Sequence, residues 1–141
     1  MPTHLPILVA EDEESDVVLL RMALEKAGVP NPLITARDGQ ETIEYLSGEG
    51  QFSDRTTNPL PGLLILDLKM PRMTGFDVLC WLAANPAFKE LPVVVLSSSS
   101  YEEDMTKARQ LGAREYYVKP HSLKQLVEIL RQLAERWLAR A

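Results

Sequence analysis
Five short apolar runs recur along the chain, separated by longer stretches in which apolar residues return every three or four positions. The runs are residues 5–10 (LPILVA), 33–36, 63–66 (LLIL), 93–96 (VVVL) and 116–118. Their length and their content of aliphatic and β-branched side chains predict buried strands. Residues 15–28 carry Val17, Val18, Leu20, Met22, Ala23, Leu24 and Ala27, with Gly28 placed to stop a helix. Asp38 precedes a helix-period stretch over 39–47, and Thr74 one that runs to 84, where Asn85-Pro86 ends it. Residues 101–111 form a fourth such stretch, stopped by Gly112. Ser122 caps a fifth, reaching about residue 138. Between the second helix and the third strand lies GEGQFSDRTTNPLPG, whose Gly, Pro, Ser, Thr and Asn content predicts a loop.

The resulting order, βαβαβαβαβα, predicts an α/β fold: a parallel sheet with helices on both faces and right-handed crossovers. For five strands this is the flavodoxin-like doubly wound arrangement, order 2-1-3-4-5. At 141 residues and 45% hydrophobic content the chain reads as one domain over 1–141. Residues 131–141 continue its last helix as a C-terminal extension.

Composition narrows the function. A net charge of −5 argues against nucleic-acid binding, which wants a basic face. No apolar run approaches the length of a membrane span, and no secretory signal stands at the N-terminus. Cys80 is the single cysteine, so no intrachain disulfide can form. These features suit a cytoplasmic protein.

In open parallel sheets, ligands bind beyond the carboxyl ends of the strands. Strand one is followed by Glu11 and Asp12, strand three by Asp67, strand four by Ser97, and strand five by Lys119 and Pro120. Three carboxylates would thus meet a lysine and a hydroxyl on one edge. Bare burial would force at least one carboxylate to protonate; a divalent cation removes that difficulty. Hard oxygen ligands point to Mg²⁺, and one cysteine with two unrelated histidines, His4 and His121, cannot make a zinc set. A carboxylate beside Mg²⁺ can attack a phosphoryl group and become an acyl phosphate. Asp67 is the best nucleophile, because it stands alone at the end of the central strand. Lys119 would neutralise the transferring oxygens, and Ser97 would hydrogen-bond one of them.

At these residues the chain resembles the receiver domains of two-component response regulators. The matching stretches are ILVAEDEE, LLILDLKMPRMTGFDVL, LPVVVLSSSS and YYVKP, in order and across nearly the whole chain. The resemblance implies that Glu11 and Asp12 hold Mg²⁺ with Asp67 and the backbone carbonyl of Lys69. It implies that Asp67 is the phosphoacceptor, that Ser97 and Tyr116 are the switch pair, and that Lys119 pairs with the phosphoryl group. It also implies a cis Lys119-Pro120 bond and a phosphohistidine donor on a sensor histidine kinase or phosphotransfer protein. The loop over 48–61, the LSSSS-YEED segment and the ending ERWLARA resemble the stand-alone regulators that partner bacterial and cyanobacterial phytochromes.

Plainer readings stand beside these. Glu13 and Glu14 fit ordinary helix N-terminal acids, and Ser98 to Ser100 fit turn and cap residues. A pure docking module and a haloacid-dehalogenase-like phosphatase are the rival functions. The second wants an aspartate where Lys69 stands. The last helix, about 25 Å long by its residue count, should outreach the sheet. Its apolar end at Trp137 and Leu138 would then favour a homodimer, unless Trp137 folds back on its own domain.

Overall fold
A computed structural model describes residues 4–138. Its strands are β1 (Ile7–Ala10), β2 (Leu33–Ala36), β3 (Leu63–Leu66), β4 (Val93–Ser97) and β5 (Glu115–Val118). Its helices are α1 (Glu14–Lys26), α2 (Gly39–Ser47), α3 (Gly75–Ala83), α4 (Glu102–Gln110) and α5 (Leu123–Leu133). All strand pairs are parallel, in the order β2-β1-β3-β4-β5 expected from the alternation.

Pleating sends alternate side chains to opposite faces and so builds two cores. Ile7, Val9, Leu63, Ile65, Val94 and Leu96 pack against α1 and α5 through Leu20, Ala23, Leu24, Leu126 and Leu130. Leu8, Leu64, Leu66 and Val95 pack against α2 and α3 through Tyr45, Leu46, Val78 and Leu79. Every residue of β1, β3 and β4 is buried, whereas the edge strands β2 and β5 are partly open. In α1 only Leu20, Ala23 and Leu24 are buried; Val18, Leu19 and Met22 face outward. Seven apolar residues exceed the width of one helical stripe, so the sequence pattern overstated the buried side.

Capping follows the residue types. Asp38 accepts the Glu41 N–H at 2.8 Å, Ser122 accepts that of Gln125 at 3.1 Å, and Thr74 with Asp77 forms a capping box. The loop after α2 is ordered by Arg55. Its guanidinium donates to the carbonyls of Tyr45 (2.8 Å), Leu46 (2.6 Å) and Asn58 (3.1 Å). The carbonyls that a helix end leaves without partners are satisfied in this way.

Two expectations are corrected. The last helix does not overhang. After Leu133 it widens into a π-helical turn over Ala134–Leu138. Trp137 is half-buried against the α1/α5 core, and its Nε1–H donates to Glu115 Oε2 at 2.9 Å. The apolar end therefore finds its cover on its own domain, across the edge strand β5. The portion of the extension beyond residue 138 lies outside the described residues. The Lys119-Pro120 bond is also not cis; there is no cis peptide among the described residues. Trans is the preferred isomer even before proline. The Lys119 N–H donates to the Ser97 carbonyl at 2.7 Å, which holds the lysine at the sheet edge.

Candidate functional site
Strand register builds the site. Ala10 is level with Leu66, and Leu66 with Val95, while Ser97 is level with Val118. The residues that follow these positions therefore emerge on one edge. The Glu11 N–H donates to Ala36 O at 2.9 Å and the Asp67 N–H to Ala10 O at 3.1 Å, so both carboxylates stay in line with the sheet as their strands end. The chain after Asp67 turns back tightly. Gly75 N–H donates to Leu68 O at 3.0 Å, and a Cβ on Gly75 would lie 2.3 Å from the Asp67 carbonyl oxygen.

Glu11, Asp12 and Asp67 each offer an oxygen, and the three oxygens lie within 4.8 Å of one another. Glu11 and Asp67 are buried and Asp12 is exposed, so the cluster has a covered floor and an open side. The Lys119 ammonium sits against it, 2.9 Å from Glu11 Oε1 and 3.5 Å from Asp67 Oδ2. Asp67 Oδ1 accepts the Lys69 N–H at 3.4 Å, and Glu11 Oε2 accepts that of Glu13 at 3.1 Å.

Charge crowding is visible in the acids. Burial, with Asp67 nearby, pushes Glu11 up to about 7. Burial likewise raises Asp67, against the pull of Lys119. Burial works against the charge on Lys119, but the hydrogen bonds with Asp16 and Glu11 outweigh it and its pKa is raised. A small, hard cation relieves this crowding: three carboxylate donors with an open, water-accessible side suit Mg²⁺ or a similar ion. Neither histidine belongs to that donor set, and both are exposed.

Ser97 and Tyr116 form a second group. Ser97, the last residue of β4, is fully buried, and its Oγ accepts the Ser99 N–H at 3.1 Å. The Tyr116 hydroxyl donates to the carbonyl of that same Ser99 at 2.8 Å, and Ser99 Oγ donates to Asp104 Oδ2 at 2.6 Å. One backbone residue thus joins the Ser97 hydroxyl, the Tyr116 ring and the first turn of α4.

Sequence reading missed Asp16. Its Oδ2 lies 2.7 Å from Lys119 Nζ, nearer than any carboxylate of the triad. The available signal was position: Asp16 stands in the first turn of α1, directly after the acidic stretch that follows β1. It also missed Arg72, whose guanidinium grips Asp38 through Nε (2.8 Å to Oδ2) and one terminal nitrogen (3.2 Å to Oδ1).

The described residues contain no helix long and apolar enough to cross a membrane. The response regulator receiver domain family matches residues 7–131. Response regulator Rcp1 of Synechocystis sp. is 33% identical over 132 residues, spanning 94% of this chain and 88% of that protein, and its structure has been solved in a Mn²⁺-bound form with a TM-score of 0.84. The phosphorylated cyanobacterial phytochrome response regulator RcpA superposes with a TM-score of 0.87 at 36% identity, covering 98% of this chain and 96% of that one. Response regulator RPA3017, of red light signalling in R. palustris, gives 0.90 at 35%, covering 97% and 96%. With a sheet edge that gathers three carboxylates and a lysine, and with this kinship along its length, the chain belongs to the response regulator receiver domain family of two-component signalling proteins.

Proposed function
We propose that Asp67 accepts a phosphoryl group from a phosphohistidine and that the phosphorylated domain signals by binding a partner. The observation that carries this reading is the convergence of Glu11, Asp12 and Asp67 beside Lys119. Glu11, Asp12 and Asp67, with the Lys69 backbone carbonyl, would hold Mg²⁺. When bound, that ion neutralises charge on the transferring oxygens.

The remaining steps belong to the chain's own groups. One Asp67 carboxylate oxygen attacks phosphorus while the phosphorus–nitrogen bond of the donor breaks, and the departing imidazole takes up a proton. Lys119 faces the new phosphoryl oxygens. Ser97 turns its hydroxyl towards one of them and gives up the Ser99 N–H. Because Ser99 also holds Tyr116 and Asp104, that movement reaches β5 and α4. Dephosphorylation is slow and assisted by the same pocket, so the protein is a relay and not a turnover enzyme.

The donor is a sensor histidine kinase of phytochrome type or a phosphotransfer protein, an assignment supported by the phytochrome association of RcpA. The protein works in the cytoplasm as a single receiver unit, in which the turn over Ala134–Leu138 extends the last helix. A homodimer through α5 belongs to this reading as well. A monomer in sedimentation at high micromolar concentration removes the dimer.

The central test is chemical. Treatment with acetyl phosphate and Mg²⁺ should add the mass of one phosphoryl group, and Asp67→Asn should abolish the gain. A gain that survives Asp67→Asn overturns the assignment. So does sustained turnover of phosphomonoesters.

A further inference from the structure
The Lys119 ammonium is shared among three carboxylates, and the shortest contact is to the one outside the triad. Asp16 Oδ2 lies at 2.7 Å, Glu11 Oε1 at 2.9 Å and Asp67 Oδ2 at 3.5 Å. An ammonium has three N–H donors, which matches in number the three carboxylates around it. Asp16 belongs to the first turn of α1, whereas Glu11 and Asp67 continue β1 and β3. Lys119 and Asp16 are both partly covered, with side-chain exposures of 21% and 32%, so their contact is only partly screened by water.

We infer that Asp16 is a positioning residue that draws the Lys119 ammonium towards α1 and so leaves the Glu11–Asp12–Asp67 triad negative enough to take a divalent cation. Three observations support this over a role as a helix N-terminal acid alone. First, Asp16 accepts a direct hydrogen bond from Lys119, across 103 residues of sequence. Second, Asp16 and Glu11 line one small pocket with Lys119 and Pro120, closed by Leu19, Leu20, Leu96 and Leu126. The lysine stem is thereby held among apolar side chains while its head chooses between carboxylates. Third, the charge count favours sharing. An ammonium fully engaged by Glu11 and Asp67 would cancel much of the negative charge that a cation needs, whereas one partly neutralised by Asp16 cancels less. The inference rests on the reading of the triad as a Mg²⁺ site.

The test is a double-mutant cycle read by Mg²⁺ binding to the intact chain, with Mg²⁺ alone as the titrant in calorimetry. Asp16→Asn keeps the shape and removes the charge. In the Lys119 protein it should weaken Mg²⁺ binding by about threefold to tenfold, because the ammonium swings fully onto the triad. Asp16→Glu should restore most of the affinity. In a Lys119→Met background the same Asp16→Asn change should have a clearly smaller effect, since only the direct through-space loss of one charge is left. Equal effects in both backgrounds overturn the inference, because they leave Asp16 acting by its charge alone. No effect in either background overturns it as well, and reduces Asp16 to a helix acid. If the unaltered protein binds no Mg²⁺, the metal site itself is wrong, and the inference falls with it. Circular dichroism of each variant distinguishes these outcomes from loss of the fold.

Discussion
The Tyr116 hydroxyl donates to the Ser99 carbonyl at 2.8 Å while the Ser99 N–H donates to Ser97 Oγ at 3.1 Å, so one peptide residue is held from both sides. Both bonds are inside the domain, where an unpaired polar group is expensive. Tyr116→Phe should cost about 1 kcal/mol, and Ser97→Ala about 1–2 kcal/mol because it leaves a buried N–H without its acceptor. Because the two share Ser99, the double variant should depart from additivity by about 0.5 kcal/mol or more. Urea unfolding of the four proteins measures this. Strict additivity would show that Ser99 does not couple the two side chains.

Gly75 should tolerate no side chain. Its added Cβ would stand 2.3 Å from the Asp67 carbonyl oxygen and 2.8 Å from Leu68 Cα, both backbone atoms that cannot rotate away. Gly75→Ala should therefore cost about 2–4 kcal/mol, displace Asp67 and sharply reduce phosphate incorporation from acetyl phosphate. Gly28 is the control. It has φ +74 but open space around it, so Gly28→Ala should cost only about 1 kcal/mol and leave phosphorylation intact.

Arg72 is the one non-glycine with positive φ (64°) among the described residues, and its guanidinium holds the buried Asp38 that caps α2. An ion pair and a strained backbone thus oppose each other at one position. Arg72→Ala loses the pair and keeps the strain, and should be only modestly destabilised, since the arginine is exposed and water screens the pair. Arg72→Gly loses the pair and relieves the strain, and should be more stable than Arg72→Ala by roughly 0.5–1 kcal/mol. Thermal melts of both decide the ranking; the reverse order would show that the backbone there carries no strain.

The fold was legible because strand runs and helix periods alternated without ambiguity, and because Asp38, Thr74 and Ser122 stood where caps belong. The triad and Lys119 were legible for a related reason: residues following apolar strands in a parallel sheet must meet at one edge. What escaped notice depended on side-chain reach. Asp16 reads as one more acid in the run EDEESD, and only the fold brings it to Lys119, 103 residues away in sequence. Trp137 was misplaced for a different reason. A residue count measures a helix along a straight axis, whereas the π-helical turn and the Trp137–Glu115 bond bring the end back over β5.

Mg²⁺ binding should depend on pH through Glu11. With its pKa at about 7 against an ordinary 4.5, and with Asp67 shifted upwards too, the folded metal-free protein holds protons that the unfolded chain has already released. Between about pH 4.5 and 7 the native state therefore binds more protons, and stability without metal should fall as pH rises through that window. Asp38 and Glu115, both shifted downwards, act only at lower pH, where they lose stability as they protonate. A cation must displace the Glu11 proton, so its apparent affinity should run the opposite way. It should increase about tenfold from pH 6 to pH 8 for one displaced proton. Titration calorimetry in two buffers of different ionisation enthalpy counts that proton directly. An affinity flat across this range, with no proton released at pH 6, would show that Glu11 is already ionised before the metal arrives.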